Sequence, residues 1–411
     1  GRRRADARVI RRVFDLRAAT FAIALGCLAS SGCGPDFLGS GSYSWVGGGR
    51  DAPEVSTRAI RLRWRRQIGY DYEGAYVPVE RSRPALDPGR DRLYVGSAAG
   101  EVWAMTATGA RIYTYDAGSS IAAQPTLDVD RNELFVSTEG GVVHKLHASD
   151  GDLAWRSEVG GAISREAVLT DDAIYVVSDD DVVSALDRET GEALWRYRRD
   201  ASEGFYVSAH AGLTLVEGHL LTAFTGGTVI SLDPADGAIR WERDTSAELE
   251  AGPDGTPRFA DVDTTPVVVD DLVYVASFAG GLYALELESG TVRWRDEALT
   301  GVTHITPASR RLLLLSSADL GVALIDREDR EILWRKVPPR GAPGPVTVAD
   351  DLVLFGESQG GFITLSLTTG RELGRIETGH GFTARAAVAD GRGFVLTNGG
   401  VLLAFALPGA R

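Results

Sequence analysis

A hairpin of two short apolar strands around a glycine- or aspartate-rich turn recurs eight times along this chain of 411 residues. Each copy has β-branched or apolar runs on both sides of its turn-forming residues, which is the signature of a β-hairpin. The copies lie at 93–105, 134–146, 174–186, 220–232, 273–285, 312–324, 352–365 and 393–405. A repeat of about 40 residues with room for four short strands is typical of the blades of a β-propeller.

A glycine followed four residues later by an aromatic residue marks a second turn after most of these hairpins. The pairs with tryptophan are Gly151 and Trp155, Gly191 and Trp195, Gly237 and Trp241, and Gly290 and Trp294. A single blade cannot bury both of its faces, and an indole on its outer strand is large enough to fill the gap to the next blade. We therefore expect these tryptophans to be core residues and not part of a cofactor site.

Residues 60–68, IRLRWRRQI, are expected to complete the ring. The eighth hairpin runs almost to the C-terminus, which leaves the last blade without an outer strand. The segment 60–68 largely alternates apolar and polar residues and carries Trp64, as an outer strand would. Its addition to the last blade would leave no exposed edge. The sequence therefore predicts an all-β, eight-bladed β-propeller at 60–411, with an N-terminal strand closing the last blade.

The first 33 residues have the pattern of an export signal. An arginine-rich start precedes an apolar stretch at 18–29, which is short for a helix that spans a membrane. Small residues then lead to Cys33, as in the bacterial lipobox, so we predict a lipoprotein signal peptide at 1–33 and acylation of Cys33. Cys27 is the alternative acylation site, and the arginines fit either Sec or twin-arginine export. Residues 34–59 are rich in glycine and serine and are interpreted as a flexible tether.

Motifs for catalysis are lacking in the sequence of the predicted propeller. Both cysteines precede residue 34, so the propeller has no thiolate nucleophile, thiolate metal site or disulfide. No phosphate loop, nucleophile elbow or zinc motif occurs. The acidic run Asp179–Asp181 lies in the turn of the third hairpin, where aspartate is a common turn residue, and a metal site is the alternative. The net charge of -14 disfavours binding to nucleic acid. We predict no enzyme activity, catalytic residue, cofactor or metal.

The repeat resembles that of quinoprotein-like propellers, and more closely that of the BamB family, the lipoprotein subunits of the outer-membrane β-barrel assembly machine. The segment 261–269, DVDTTPVVV, together with the blade that follows it, is the most specific part of this resemblance. The whole resemblance covers about residues 60–407. It implies a non-catalytic scaffold in which loops on one face of the propeller bind the periplasmic domains of the barrel-assembly subunit.

The resemblance also implies which residues contact that partner. The Asp-Val-Asp loop is one contact in the family, and it corresponds to Asp261 and Asp263 in this sequence. A loop before blade four that contains leucine and arginine is a second contact, but Ser202–Ser208 stands there and lacks both residues. Phe205 and Tyr206 are the apolar residues that could anchor a partner instead. The structural alternatives are that the two aspartates cap a turn and that the two aromatic residues pack a loop.

The expected location follows from the residue after Cys33, which is glycine and not aspartate. In the lipoproteins that this segment resembles, that choice implies sorting to the outer membrane. We expect a lipid-anchored protein on the periplasmic face of the outer membrane that holds partner proteins during barrel assembly and insertion. Two other functions fit the fold class: a dehydrogenase dependent on pyrroloquinoline quinone, and a propeller that binds carbohydrate or peptide. The lack of adjacent cysteines and the scarcity of asparagine argue against the dehydrogenase.

Overall fold

The computed structural model describes residues 54–57, 59–68, 78–199, 210–246 and 261–408. In these ranges the chain forms eight antiparallel sheets that are arranged as the blades of one ring. The predicted all-β, eight-bladed β-propeller is therefore confirmed. The described residues include no helix with the length and apolar character that a membrane crossing requires.

The strands follow one another in chain order, with β1 (Glu54–Thr57) and β2 (Arg61–Gln67) ahead of the first blade. Blade one consists of β3 (Ala85–Asp87), β4 (Arg92–Gly96), β5 (Glu101–Thr106) and β6 (Arg111–Asp116), and blade two of β7 (Thr126–Asp128), β8 (Glu133–Ser137), β9 (Val142–His147) and β10 (Leu153–Glu158). Blade three consists of β11 (Val168–Leu169), β12 (Ala173–Ser178), β13 (Val182–Asp187) and β14 (Ala193–Arg198), and blade four of β15 (Thr214–Val216), β16 (His219–Ala223), β17 (Thr228–Leu232) and β18 (Ile239–Asp244).

Blade five consists of β19 (Val267–Val269), β20 (Leu272–Ser277), β21 (Gly281–Glu286) and β22 (Val292–Asp296), and blade six of β23 (Val302–Pro307), β24 (Leu312–Ser317), β25 (Gly321–Asp326) and β26 (Ile332–Lys336). Blade seven consists of β27 (Thr347–Ala349), β28 (Leu352–Gly356), β29 (Phe362–Ser366) and β30 (Glu372–Glu377), and blade eight contains β31 (Ala387–Ala389), β32 (Arg392–Leu396) and β33 (Val401–Ala406). A single 3₁₀ turn, Pro88–Arg90, follows β3 in the described part of the chain.

The position of a strand within its blade explains its composition. In blade three every residue of β12 is buried, because the neighbouring blades cover both faces of the sheet. The outer strand β14 instead alternates between exposed and half-buried residues, since one of its faces meets the next blade and the other meets solvent. The first strands are short and line the centre of the ring.

The hydrophobic core is divided among the seams between blades. Eight clusters of buried apolar side chains occur in the described residues, and each one joins the facing sheets of two neighbouring blades. At the seam between blades eight and one, Leu93 and Val95 pack with Phe394 and Leu402. Each blade is therefore stable only with its neighbours in place, and the last seam is as well filled as the others.

The N-terminal strand closes the ring as predicted. Strand β2 pairs antiparallel with β33, so that Arg61 lies opposite Ala406 and Gln67 lies opposite Val401. The indole Nε1 of Trp64 donates a hydrogen bond to the main-chain oxygen of Ala107 in blade one, at 2.9 Å. The closing strand therefore completes blade eight and also ties it to blade one.

The predicted tether at 34–59 is wrong at its C-terminal end. Residues 54–57 form β1, which pairs antiparallel with β30 and adds a fifth strand to blade seven. The outer strand of a blade presents a row of free N–H and C=O groups, and the short run Glu-Val-Ser-Thr can satisfy them. Residues 34–53 lie outside the described part of the chain.

Candidate functional site

The loops and turns of blades three to five that lie on one face of the ring form the candidate site. We call this surface the loop face; it consists of residues 162–167, 179–181, 210–213, 224–227 and 261–266. The loops that lead into a first strand and the turns after a second strand share one side of a propeller, because adjacent strands run antiparallel. The loop face therefore brings together segments from three blades.

Asp261 is a buried part of this surface. Its side chain has an exposed fraction of only 3%, and Oδ1 accepts a hydrogen bond from the backbone N–H of Gly226 at 3.0 Å. The main-chain oxygen of Asp261 accepts another from the N–H of Phe278, also at 3.0 Å. Asp261 thus fixes the turn of blade four against the loop of blade five, as expected for an aspartate that caps a turn.

Asp263 lies two residues further along the same loop and is half-buried. Burial, helped by the nearby Asp261 carboxylate, raises the pKa of Asp263 to about 7, although Arg165 and His210 oppose the shift. The Asp263 carboxylate makes no hydrogen bond and no ion pair within 4 Å in the part of the chain described. The Asp263 carboxyl group therefore titrates near neutral pH, and its oxygen atoms can still accept a hydrogen bond from a partner.

Arg165 and His210 are two further charged or titratable residues of the loop face, and no sequence motif indicated either of them. The guanidinium Nε of Arg165 donates a hydrogen bond to the main-chain oxygen of His210. The His210 Nδ1 atom lies 3.5 Å from Asp181 Oδ1, and this carboxylate raises the pKa of His210. Burial lowers the pKa of Arg165, while the charge of Asp263 acts in the opposite direction. Charged side chains from three blades thus lie close enough on the loop face to shift one another's pKa values.

The acidic run Asp179–Asp181 belongs to the same surface, where it serves as a turn. Asp179 Oδ1 accepts a hydrogen bond from Ser164 Oγ at 2.8 Å, and Asp181 Oδ2 accepts one from Thr225 Oγ1. Asp181 itself has a left-handed backbone with φ of 57°, which aspartate tolerates in turns. In the described ranges no group of three or more histidine, cysteine, aspartate or glutamate residues is placed to hold a metal ion.

Three of the predicted functional residues lie outside the described residues: Cys33, Phe205 and Tyr206. The other two predicted residues, Asp261 and Asp263, lie close together on the loop face. Arg165 and His210 lie near them and belong to the same site. An alignment of the repeats to one another would have found the last two, since all four stand in the loop just before a first strand.

An eight-bladed β-propeller with one electrostatically coupled loop surface defines the class of this protein. The fold and the loop geometry are those of a repeat-built platform for binding. The chain belongs to the family described as outer membrane protein assembly factor BamB, whose model matches residues 98–336 and 318–410.

Relatives of this name support the assignment along most of the chain. The protein from Shewanella oneidensis is 26% identical over 294 residues, which cover 71% of this chain and 72% of the relative. The protein from Burkholderia pseudomallei is 27% identical over 351 residues, which cover 83% of this chain and 87% of the relative.

Solved structures agree on the fold. BamB from Moraxella catarrhalis superposes with a TM-score of 0.71 at 22% identity, over 85% of this chain and 100% of that one. A quinohemoprotein alcohol dehydrogenase from Pseudomonas putida superposes with a TM-score of 0.64 at 13% identity, over 86% and 77% of the two chains. At these identities the likeness is one of architecture, which unrelated functions share.

Proposed function

We propose that this chain is a non-catalytic scaffold in the assembly and insertion of outer-membrane β-barrel proteins. The proposal is supported chiefly by the family match, which extends over nearly the whole propeller. Proteins of this family carry the description of outer membrane assembly factors. The scaffold acts by positioning its partners, and no covalent step is required.

The partner that the family resemblance implies is the set of periplasmic domains of the barrel-assembly subunit, and the loop face is the surface we assign to it. Asp263 is the contact residue, because its carboxylate is free to accept hydrogen bonds in the described part of the chain. Asp261 is a positioning residue, since its buried carboxylate holds the turn at Gly226. Phe205 and Tyr206 are proposed as apolar anchors for the same partner.

Charge reversal at Asp263 tests this assignment. The affinity of the full chain for the purified periplasmic domains of the barrel-assembly subunit is measured by titration calorimetry for the native protein and for Asp263→Arg. We expect the variant to bind at least about tenfold more weakly, because a docked partner would meet a cation in place of a carboxylate.

Asp130→Arg is the matched control. Asp130 is exposed in the turn after β7, on the opposite face of the ring, and the substitution makes the same change in net charge. We expect its affinity to equal that of the native protein. Equal loss in both variants would indicate a general charge effect, and unchanged binding of Asp263→Arg would remove the loop face from the proposal.

Anchorage through Cys33 on the periplasmic face of the outer membrane is the second part of the proposal. It rests on the small residues before Cys33 and on the glycine that follows it. Cys33→Ser should abolish labelling of the protein by radioactive palmitate and move it from the membrane fraction to the soluble periplasm. Retained labelling would transfer the anchor to Cys27, and a membrane-bound, unlabelled variant would contradict lipid anchorage.

A further inference from the structure

A cavity of about 580 Å³ lies at the centre of the ring, and the two arginines of its lining stand in loops on the same side of the ring as the loop face. Its wall is formed by the first strands of blades six, seven and eight, by the loop before blade one and by inner hairpin turns. The polar lining includes Arg83, Arg385, Thr306, Thr347, Asp350 and Asp390. Both threonine hydroxyls are already used, since each donates to a main-chain oxygen of the next blade.

Arg83 and Arg385 occupy corresponding positions in adjacent blades. Arg83 stands two residues before β3, and Arg385 stands two residues before β31. The Nε atoms of both side chains are buried and have no hydrogen-bond partner. Throughout the part of the chain that the structure describes, neither guanidinium forms an ion pair within 4 Å. Both side chains are half-buried, and partial withdrawal of an unpaired cation from water costs free energy, so two of them beside one cavity favour a counter-charge.

The charges that act on the two arginines are the Arg83 cation, which acts on Arg385, and the Glu166 carboxylate, which acts on both. Burial lowers the pKa of Arg83, with Glu166 acting in the opposite direction. Burial, reinforced by the Arg83 cation and opposed by Glu166, lowers the pKa of Arg385 to about 10. Both residues are still protonated at neutral pH, so the cavity contains two mutually repelling cations.

The remaining groups near the cavity form no ion pair with these cations: the Glu166 carboxylate acts on both arginines, but in the described residues it lies more than 4 Å from their guanidinium groups. Burial and the cations of Arg165 and Arg385 lower the pKa of His304 to about 3, so that its imidazole is neutral. The carboxylates of Asp350 and Asp390 are at exposed turn positions, and neither lies within 4 Å of a guanidinium of the two arginines.

We propose that the central cavity binds a small, doubly charged oxyanion between Arg83 and Arg385. A guanidinium presents a planar fork of donors that matches the oxygen atoms of phosphate or carboxylate. Two such forks satisfy a dianion, and the cavity is larger than an inorganic phosphate ion, so an organic substituent fits as well. The ligand class is therefore a phosphate, a phosphate monoester or a short dicarboxylate.

Titration calorimetry and thermal unfolding of the full chain in detergent test the proposal with three probes: inorganic phosphate, glycerol 3-phosphate and succinate. Chloride at matched ionic strength is the reference. We expect at least one probe to bind and to raise the melting temperature by several degrees above the reference. The probe that binds most tightly distinguishes a free phosphate, a phosphate monoester and a dicarboxylate.

Arg385→Gln is expected to reduce the affinity for that probe at least tenfold. Without the anion it should melt at or above the native temperature, because an unpaired, half-buried charge has been removed. Arg63→Gln is the control: it removes the same charge from an exposed position on β2, and its affinity should stay within twofold of the native value. If Arg385→Gln does not fold, Arg83→Gln takes its place with the same expected loss.

Two results would overturn the proposal. One is that none of the three probes stabilises the native chain beyond the chloride reference. The other is that the probe binds the arginine variant and the native chain with equal affinity, which would place the anion elsewhere on the surface.

Discussion

Gly191 lies against the indole ring of Trp155, so that a Cβ atom on this glycine would stand 2.7 Å from Cδ2 of the ring. Gly191 belongs to blade three and Trp155 to blade two. The indole Nε1 also donates a hydrogen bond to the main-chain oxygen of Arg188, in the same turn as Gly191, at 3.1 Å. The glycine and tryptophan of the sequence repeat therefore meet across a seam between blades and not within one copy.

The same relationship recurs around the ring. Further pairs are Tyr113 with Gly151, Trp195 with Gly237, Trp241 with Gly290 and Trp334 with Gly370. The closing strand supplies Trp64, which lies against Gly109 of blade one. Six of the eight outer strands thus present an aromatic ring to a turn that can come close only because glycine has no side chain, and the exceptions involve Arg330 and Gly374.

Gly191→Ala should be strongly destabilising for two separate reasons. The backbone of Gly191 has φ of 75°, which costs an alanine about 1 kcal/mol. The added methyl group would also overlap the Trp155 ring, and such overpacking costs about 1–3 kcal/mol more. Equilibrium unfolding in urea should therefore show a loss of about 2–4 kcal/mol.

Gly118→Ala separates the two contributions. Gly118 has the same φ of 75°, but nothing lies within 4 Å of the position of its Cβ atom. Its variant should lose only the backbone component, about 1 kcal/mol. Similar losses in the two variants would show that the seam can adapt to a methyl group and that the contact with Trp155 is not restrictive.

Arg188 provides a second prediction at the same seam. Its side chain has an exposed fraction of 2% and forms ion pairs with Asp128 and Glu133 of blade two, the latter at 2.7 Å. Arg188→Gln would leave the half-buried Asp128 without its cation and the buried Glu133 with Lys145 alone, so we expect the free energy of unfolding to fall by about 3 kcal/mol.

Arg293→Gln is the comparison for this change, because it removes an arginine of which 66% is exposed and which pairs with Glu286 at 3.1 Å. Solvent screens such a pair, and its loss should change the free energy of unfolding by less than about 1 kcal/mol. Urea unfolding of both variants under the same conditions gives the difference. Equal effects would mean that water reaches Arg188 in the folded protein.

The repeat allowed most of the fold to be predicted from the sequence. Periodic apolar runs locate the hairpins, and the alternating segment that contains Trp64 identifies the closing strand, because these patterns depend on local burial. The strand β1 was missed, since its four residues follow a glycine-rich stretch and pair with β30, more than 300 positions away. Its pairing depends on an edge that only the assembled ring provides.

The candidate site was less predictable than the fold. The Asp-Val-Asp loop was recognisable as a motif, but its coupling to Arg165 and His210 arises from contacts between three blades. The two arginines of the central cavity, Arg83 and Arg385, are far apart in the sequence. They come together only when blades eight and one meet. Such groupings follow from ring closure, which a local pattern does not contain.

Asp263 should make the stability of the protein depend on pH. Its pKa is raised in the folded chain to about 7, so the folded state keeps the proton over a range in which the unfolded chain has released it. The stabilising contribution is full below about pH 4 and is lost as the pH rises through 7. Asp263→Asn cannot lose a proton, and its advantage over the native chain should grow by about 4 kcal/mol between pH 4 and pH 8.

Denaturant unfolding of the two proteins at several pH values between 4 and 8 measures this difference. Glu80, whose pKa burial also raises to about 7, is present in both proteins and cancels in the comparison. A difference that stays constant with pH would show that Asp263 titrates as an ordinary surface carboxyl group.

The two N-terminal strands should differ sharply in importance. Strand β1 only extends blade seven, which has four strands of its own, whereas β2 is the fourth strand of blade eight. Without β2, the outer edge of β33 is unpaired and Gly109 loses the Trp64 ring that covers it. A chain that begins at residue 59 should therefore melt within a few degrees of the native protein. A chain that begins at residue 69 should lose its cooperative transition and aggregate, because the edge and the apolar seam are both exposed.

Scanning calorimetry and size-exclusion chromatography distinguish these outcomes. A synthetic peptide of residues 59–68 should restore a cooperative transition to the shorter chain, since it supplies the missing strand and the indole that contacts Ala107 and Gly109. A monomer that begins at residue 69 and melts like the native protein would mean that seven complete blades and one incomplete blade hold the ring closed. The closing strand would then be dispensable for stability, and its pairing with β33 would protect only the edge.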